Sequence, residues 1–249
     1  VDVFHSIFDR HFRRYGLLLS DLDGKPAPDK TVGIRRATST IAEKGIWSAA
    51  LLARLGFVPV ASPVSNTAIA RQGVDHSKTD FCIARKLVTG HAMLLMEHPG
   101  IRYQFNPTFI EHFQKGSHAL KYCIYTESEA FILNDDLSLD QQKQLSPVLQ
   151  FNSGPILVNN IDKEMRSKGY RFSRRQIADA IEAADAAEKA FLDELYTRGD
   201  SFLEKTRDRV AYLGIGRDYV VLDPEASSYA GAMFSQARGL RSEERRVGK

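Results

Sequence analysis

Cysteine is scarce in this chain of 249 residues, which contains only Cys82 and Cys123. Two cysteines do not make a disulfide framework, so a reducing cytoplasm is the expected compartment. The sequence also lacks an apolar run of about 18 residues, the length that a transmembrane helix needs. Its first twelve residues are amphipathic and charged and do not have the pattern of a signal peptide. We therefore expect a cytoplasmic protein without a membrane partner.

The excess of positive charge is small and lies mostly at the end of the chain. The formal net charge is +3, and the last nine residues, 241–249, contain four cations and two anions. Without them the net charge is +1, which gives no support for a nucleic acid partner. Residues 241–249 have no apolar periodicity and resemble translated adapter sequence, so we interpret them as a non-native tail. A solvated native C-terminus is the alternative interpretation. Because the first residue is Val1, we also interpret the chain as a piece of a longer protein.

Short strands alternate with helices in the first part of the chain. The hydrophobic content of the whole chain, 43%, is sufficient for a core. Gly, Pro and Asp mark the turns between them. This alternation predicts an α/β fold with a doubly wound, mostly parallel sheet flanked by helices. The predicted elements are a helix over 4–17, a linker over 21–29, a strand over 31–35, a helix over 39–55, a strand over 57–61 and a helix over 66–72 closed by Gly73.

The remaining pattern predicts a second group of elements and the domain boundaries. The most regular apolar stripe predicts a long helix from Ser173 to Arg198, with Gly199 after its end. The other predictions are a helix over 85–96, strands over 101–105 and 119–125, a helix from 127, a strand or extended segment over 154–159, strands over 210–215 and 219–222, and a helix from 227. The predicted domains are an N-terminal helix and linker (1–29), a first α/β lobe (30–172), a connecting helix (173–209) and the start of a second α/β lobe (210–240).

No phosphate-binding glycine motif is present. The turn over 35–39 lies between a predicted strand and a predicted helix, where backbone N–H groups could face an anion. It has neither a Gly-x-Gly-x-x-Gly pattern nor a P-loop, so we do not assign a nucleotide site. A small-molecule-binding α/β domain that uses this turn remains one hypothesis.

The segment 80–91 gathers a thiol, two cations and a Gly-His pair. A predicted helix begins near Cys82, and a helix N-terminus with Arg85 and Lys86 nearby favours a thiolate. A thiolate is the form of cysteine that binds metal or attacks an electrophile. The alternative is that Cys82 is a small buried apolar residue.

Several separated segments resemble the activase-related proteins of the 2-hydroxyacyl-CoA dehydratase system, in a domain similar to the dehydratase subunits. The matches follow the family's order from about residue 31 to 231. They are Gly33-Ile34-Arg35-Arg36-Ala37, Leu55-Gly56-Phe57, Ser62-Pro63, the segment from Cys82 to Gly90-His91, Cys123, the long helix, Gly216-Arg217-Asp218-Tyr219 and Asp223-Pro224.

The resemblance implies a component of an ATP-driven acyl-CoA dehydratase activation system. It implies a [4Fe–4S] cluster with Cys82 and Cys123 as ligands, and an electron-transfer or dehydratase-like role. It also places Lys86, His91 and Arg217 as candidates for contact with the cofactor or substrate. The implied partners are ATP-hydrolysing activase domains, in cis or in trans, and an acyl-CoA. No catalytic residue is assigned.

The chain departs from the family pattern at four positions. Thr108 stands where the family usually has a third cysteine, and Ala84, Arg35 and Ile124 replace prolines. Because threonine supplies no thiolate, the alternative function is a docking or regulatory α/β domain without a cluster. His91 then serves helix packing, and Lys86 and Arg217 are solvated surface cations.

Overall fold

The structure of the chain, a computed structural model, describes residues 2–38, 44–112, 120–208 and 215–236. Helices make up most of this part of the chain, and two sheets lie among them. The helices are α1 (Asp2–Phe12), α2 (Gly45–Arg54), α3 (Thr67–His76), α4 (Ile83–Glu97), α5 (Ile124–Glu127), α6 (Glu129–Leu137), α7 (Gly154–Ser167), α8 (Arg174–Lys205), α9 (Asp218–Val221) and α10 (Ala230–Gln236). The strands are β1 (Leu17–Leu18), β2 (Thr31–Ile34), β3 (Val58–Ala61), β4 (Tyr103–Phe105), β5 (Thr108–His112), β6 (Leu120–Lys121), β7 (Gln144–Leu145) and β8 (Val148–Gln150).

The larger sheet is parallel, with the strand order β1-β3-β2-β4-β7. Its centre is apolar on both faces, as expected when helices cover both sides of a parallel sheet. The smaller sheet has the order β6-β5-β8, in which β5 pairs antiparallel with β6 and parallel with β8. The α/β fold class and the parallel, helix-flanked sheet predicted from the sequence are confirmed.

Successive residues of β2 point to opposite faces of the sheet. Val32 and Ile34 are buried in the main core, which also contains side chains of α1, α2, α7 and α8. Gly33 faces the other way, and a Cβ at this position would lie 3.1 Å from the Leu95 side chain of α4. The missing side chain therefore lets α4 approach the sheet closely.

The N-terminal segment packs on the same core as the rest of the chain. Phe4 and Phe8 of α1 make edge-on contacts with Phe191 of α8, at ring-centroid distances of 5.9 and 6.1 Å. The predicted first helix ends at Phe12, and Leu17 lies in β1 beside β3. The helix predicted over 4–17 therefore ends early, and the linker predicted over 21–29 begins inside a short 3-10 helix, Leu19–Leu22.

The prediction that Gly73 closes a helix is wrong. α3 continues through Gly73 to His76, and Gly73 lies where α3 crosses α4. A Cβ at Gly73 would lie 2.0 Å from the Lys86 carbonyl oxygen, and one at Gly90 would lie 2.0 Å from that of Ile69. Both glycines serve the contact between the helices, which leaves no room for a side chain.

Three strand predictions are wrong over all or part of their length. The predicted strand over 119–125 is paired only at β6, and Cys123 is the N-cap of α5. Residues 154–159 begin α7, where Leu157 and Ile161 occupy one buried helical face and Pro155 stands in the first turn. Most of 219–222 lies in α9, while 210–214 falls outside the described residues.

The long helix is confirmed, but its predicted end is wrong. α8 begins after Ser173, whose hydroxyl accepts from the Gln176 N–H, and it continues beyond Gly199 to Lys205. A single glycine costs a helix only about 1 kcal/mol relative to alanine, too little to end a run of good helix formers. Of the helix predicted over 39–55, α2 covers Gly45–Arg54 with Lys44 as its N-cap, and 39–43 lie outside the described residues.

Among the helices that the structure describes, none has the length and apolar content to cross a membrane.

Candidate functional site

The strand order of the parallel sheet reverses between β2 and β4. The chain leaves β2 toward β3 on one side, and it leaves β4 toward β7 on the other. A crevice at the carboxyl ends of such strands is the usual ligand site of an open α/β sheet. Arg35 follows β2 here, and its Nη1 donates to the Phe105 carbonyl oxygen of β4 at 3.1 Å.

Two buried guanidinium groups lie at this edge, each with an acidic partner. Arg35 pairs with Glu129 of α6, and Thr38 Oγ1 donates to the second carboxylate oxygen at 2.9 Å. Arg36 pairs with Asp9 of α1 and lies over the Phe8 ring, 4.6 Å from its centroid. Burial lowers the pKa of Arg36, and Asp9 opposes that change.

The turn after β2 uses its backbone for internal contacts. The Arg36 N–H donates to Ser62 Oγ at 2.8 Å, so it is not available to an anion. Of the residues in the predicted anion-binding turn, 39 lies outside the described part of the chain. The structure therefore gives the anion-binding hypothesis no support at Arg36.

His91 is fully buried in α4, and a serine lies at each ring nitrogen. Nδ1 is 2.8 Å from Ser62 Oγ, and Nε2 is 2.9 Å from Ser65 Oγ. Burial and the nearby charges of Arg36 and Arg35 lower the pKa of His91 to about 3. The imidazole is therefore neutral near pH 7, and with both nitrogens hydrogen-bonded it has no free lone pair for a metal.

Asp223 extends this polar chain into the C-terminal segment. Its carboxylate accepts from Ser65 Oγ and, through Oδ1, from the Ala226 N–H at 2.9 Å. Only 1% of Asp223 is exposed, and burial raises the pKa of its carboxyl group. The residue thus joins the segment 215–236 to the carboxyl edge of the sheet.

The structure brings the two cysteine segments together. Phe81, which precedes Cys82, makes an edge-on contact with Tyr125, two residues after Cys123, at a centroid distance of 5.1 Å. Each cysteine is the N-cap of a helix, Cys82 of α4 and Cys123 of α5. Both thiols are free, with Cys82 exposed and Cys123 half-buried. The pair therefore lies at two adjacent helix starts.

A family match covers both this sheet edge and the two cysteines. Residues 31–240 match the family described as "CoA enzyme activase uncharacterised domain". The chain belongs to this family. The activase-related resemblance inferred from the sequence is thereby confirmed. No curated protein and no solved structure matches the chain.

Two charged residues of this activase-family domain lie close to the thiol pair. Arg85 is 1% exposed, donates to Thr89 Oγ1 at 2.9 Å, and interacts electrostatically with Cys82. Arg217, an exposed residue, lies beside Tyr219, whose phenol interacts with both Cys82 and Cys123. Burial raises the pKa of Tyr219, and both thiols act in the same direction.

Lys86 is engaged by a neighbour from the cysteine segment. Its Nζ donates to Asp80 Oδ1 at 2.6 Å, and this contact lowers the pKa of Asp80. Lys86 thus bonds within the cysteine segment and Arg217 lies beside Tyr219, while His91 belongs to the serine network. Their predicted contact with a cofactor or substrate stays a prediction.

The described residues do not form a complete set of metal ligands. They contain no group of three or more His, Cys, Asp or Glu side chains arranged to hold a metal ion. Thr108, in the position of the family's third cysteine, is 9% exposed, and its N–H donates to the Pro147 carbonyl oxygen at 3.0 Å. It begins β5, the strand against which α5 packs. Two cysteines are fewer than the four ligands of a [4Fe–4S] cluster, so a cluster here would need further ligands from outside the described residues.

The sequence did not identify four residues of this region. Glu129, Ser65 and Asp9 carry no motif, since an isolated acid or hydroxyl is normally at the surface. Asp223 was noticed only as part of an Asp-Pro pair. The buried contacts that make these residues important connect positions between 27 and 158 residues apart in the chain.

Proposed function

We propose that this domain is an iron–sulfur electron-transfer or dehydratase-like module of an ATP-driven acyl-CoA dehydratase activation system. The observation that carries the proposal is the adjacency of the Cys82 and Cys123 segments through Phe81 and Tyr125. Thiolates are soft, anionic ligands that suit iron–sulfur clusters. When bound, a [4Fe–4S] cluster would supply transfer of one electron at low potential.

Both cysteines lie at helix starts, and a buried arginine lies near one of them. Helix N-termini carry a partial positive charge, and both cysteines occupy N-cap positions. The buried Arg85 interacts electrostatically with Cys82, but its stronger charged partners are Glu129 and Asp136. A thiolate is the state that both ligation and nucleophilic attack require.

The proposed partners are ATP-hydrolysing activase domains, in cis or in trans, and an acyl-CoA, in the cytoplasm. Apolar side chains around the thiols support a protein partner. Ile83, which follows Cys82, is 39% exposed, and Ile124, which follows Cys123, is 68% exposed. Exposed apolar side chains that lie together mark interaction surfaces. Membership of the activase family favours a partner from the same activation system.

A second candidate is a docking or regulatory α/β domain without a cluster. Thr108 favours it, because the family's third thiolate is replaced by a hydroxyl within the start of β5. The shortage of metal ligands among residues 2–38, 44–112, 120–208 and 215–236 points the same way. In this candidate the fold and the partner surface have the same roles, and the domain carries out no redox chemistry.

Anaerobic reconstitution with iron and sulfide separates the two candidates. We expect about four irons per chain and a visible absorption band if one [4Fe–4S] cluster forms. Both signals should be lost in Cys82→Ala and in Cys123→Ala. Ser138→Ala, outside the cysteine segments, is the matched control and should retain them. A folded chain that holds no iron would reject the redox function and leave the docking module.

A further inference from the structure

A buried chain of hydrogen bonds holds the segment 215–236 against the sheet edge. The Arg36 N–H donates to Ser62 Oγ, which is 2.8 Å from Nδ1 of His91. Nε2 of His91 is 2.9 Å from Ser65 Oγ, and Ser65 donates to Asp223. The chain thus runs from the turn after β2, through α4 and the turn after β3, to the C-terminal segment.

The proton positions along this chain follow from its two ends. Ser65 uses its hydroxyl proton for Asp223, so its oxygen must accept from Nε2–H of His91. Nδ1 then accepts a hydrogen bond from the Ser62 hydroxyl, and the Ser62 oxygen accepts one from the Arg36 N–H. Each donor faces an acceptor only in the neutral Nε2–H tautomer. His91 therefore fixes the orientation of Ser65 toward Asp223.

A second buried contact holds the same segment. Nε2 of His5, in α1, donates to the Leu222 carbonyl oxygen at 3.1 Å. A third contact, from Thr67 Oγ1 to Glu225 at 3.1 Å, is exposed to solvent. Exposed hydrogen bonds compete with water, so the buried pair of contacts contributes more to holding the segment than the exposed one.

The segment held in this way also carries Arg217 and Tyr219. Tyr219 is half-buried, packs against the main core, and lies within electrostatic range of both thiols. It is four residues before Asp223, so the anchoring of Asp223 limits how far Tyr219 can move from the cysteines. Cys82 is exposed in this arrangement, whereas Cys123 is half-buried.

We propose that Ser65 and Asp223, oriented by His91, form a latch that seats the segment 215–236 at the cysteine pair and limits access to the Cys123 thiol. The three residues are positioning residues, since none of them contacts a thiol in the contacts described above. The proposal rests on the cysteine pair being the working site, as proposed above. It assigns His91 to the control of that site and not to ligation.

The test compares thiol reactivity in the reduced chain without added iron. Wild type, Ser65→Ala and Thr67→Ala are labelled with iodoacetamide, and the extent of reaction at each cysteine is followed by peptide mass spectrometry. Ser65→Ala removes the donor to Asp223, while Thr67→Ala removes exposed contacts to the same segment, at Glu225 and Tyr229. Deuterium exchange over 215–236 is measured on the same samples.

We expect Ser65→Ala to raise the labelling rate of Cys123 about tenfold, the factor that a lost hydrogen bond to a charged group typically represents. Labelling of the exposed Cys82 should change much less and serves as the internal reference. Exchange over 215–236 should rise in Ser65→Ala, and Thr67→Ala should resemble wild type.

A second variant protects the test against misfolding of Ser65→Ala. Asp223→Ala removes the acceptor from the segment itself, and Asp223→Asn retains an oxygen that can accept from Ser65. We expect faster Cys123 labelling in Asp223→Ala than in Asp223→Asn. Unchanged Cys123 labelling in a folded Asp223→Ala, or an equal rise in Thr67→Ala, would overturn the latch. Because no iron is involved, these outcomes are independent of reconstitution, which tests the redox function.

Discussion

Arg35 and Glu129 form an ion pair whose side chains are almost completely removed from solvent, with 0% and 2% exposed. The pair connects the end of β2 to the start of α6, and α6 directly follows the helix that Cys123 begins. Glu129 also accepts from Thr38, so one carboxylate serves two residues of the turn after β2. The ion pair therefore sets the position of the cysteine segment relative to the sheet.

Removal of the Glu129 charge should be strongly destabilising. Glu129→Gln leaves the Arg35 cation buried without its counter-charge, so we expect the free energy of unfolding to fall by about 3–5 kcal/mol in urea titrations. The exposed pair of Lys189 and Asp193 is the control, and Lys189→Ala should cost at most about 1 kcal/mol. Equal effects of the two substitutions would contradict a structural role for the buried pair.

Gly73, at the helix crossing, and Gly199, in open space on α8, predict opposite effects of the same substitution. Gly73→Ala places a Cβ 2.0 Å from a carbonyl oxygen of α4, so we expect a loss of about 1–3 kcal/mol from overpacking. Gly199→Ala in α8 meets no atom within 4 Å and should stabilise the protein by about 0.5–1 kcal/mol. Thermal unfolding of both variants checks the prediction, and a stabilised Gly73→Ala protein would refute the close crossing.

Stability should fall as the pH is lowered below about 6.5. Burial lowers the pKa of His91 to about 3 and that of His5 to about 4, whereas both groups have a pKa of 6.5 as free side chains. Between these values the unfolded chain binds protons that the folded chain does not, so acid favours unfolding. Each such histidine contributes a slope of about 1.4 kcal/mol per pH unit.

Urea titrations between pH 7.5 and 5 measure this slope. His91→Gln should reduce it by about one proton, and His76→Gln, which changes an exposed histidine, is the matched control. Asp223 has the opposite effect on the pH dependence of stability. Its carboxyl pKa is raised in the folded state, so the stability it contributes is lost as the pH rises through that pKa. An unchanged slope in His91→Gln would show that His91 is not buried in its neutral form.

Restoring the family's third cysteine should strengthen iron binding if the redox function is correct. We expect Thr108→Cys to retain more iron than wild type after anaerobic reconstitution and gel filtration, because it adds a soft anionic ligand near α5. Thr197→Cys, on the exposed side of α8, controls for iron bound by any added thiol. Equal iron in the two variants would argue against Thr108 as a ligand position.

The helices and the central strands could be predicted because their patterns are local. Ser173 and Gln176 cap the start of α8 from within four residues, and β2 is a short apolar run bounded by turns. The wrong predictions concern segments whose state depends on distant neighbours. Gly73 looked like a helix end, but the backbone of α4 requires a glycine inside α3 at that point.

The residues of the candidate site were likewise predictable only where residue type and order form a local pattern. The two cysteines, Thr108 and the Gly90-His91 pair stand out in the sequence, because their residue types and order match a family pattern. Their roles depend on contacts that the sequence does not reveal, such as Phe81 against Tyr125 and His91 between two serines. Buried acids such as Glu129 and Asp223 resemble surface acids until their partners are known.

The sequence by itself determined the α/β class, the activase-family membership and the identity of the two thiols, since each follows from residue type and local order. The tertiary structure alone decided that Asp223 reaches Ser65, that His91 is neutral, and that the cysteine segments meet. These depend on burial and on pairing across the chain. Both arise only when the helices pack on the sheet and remove the polar groups from water.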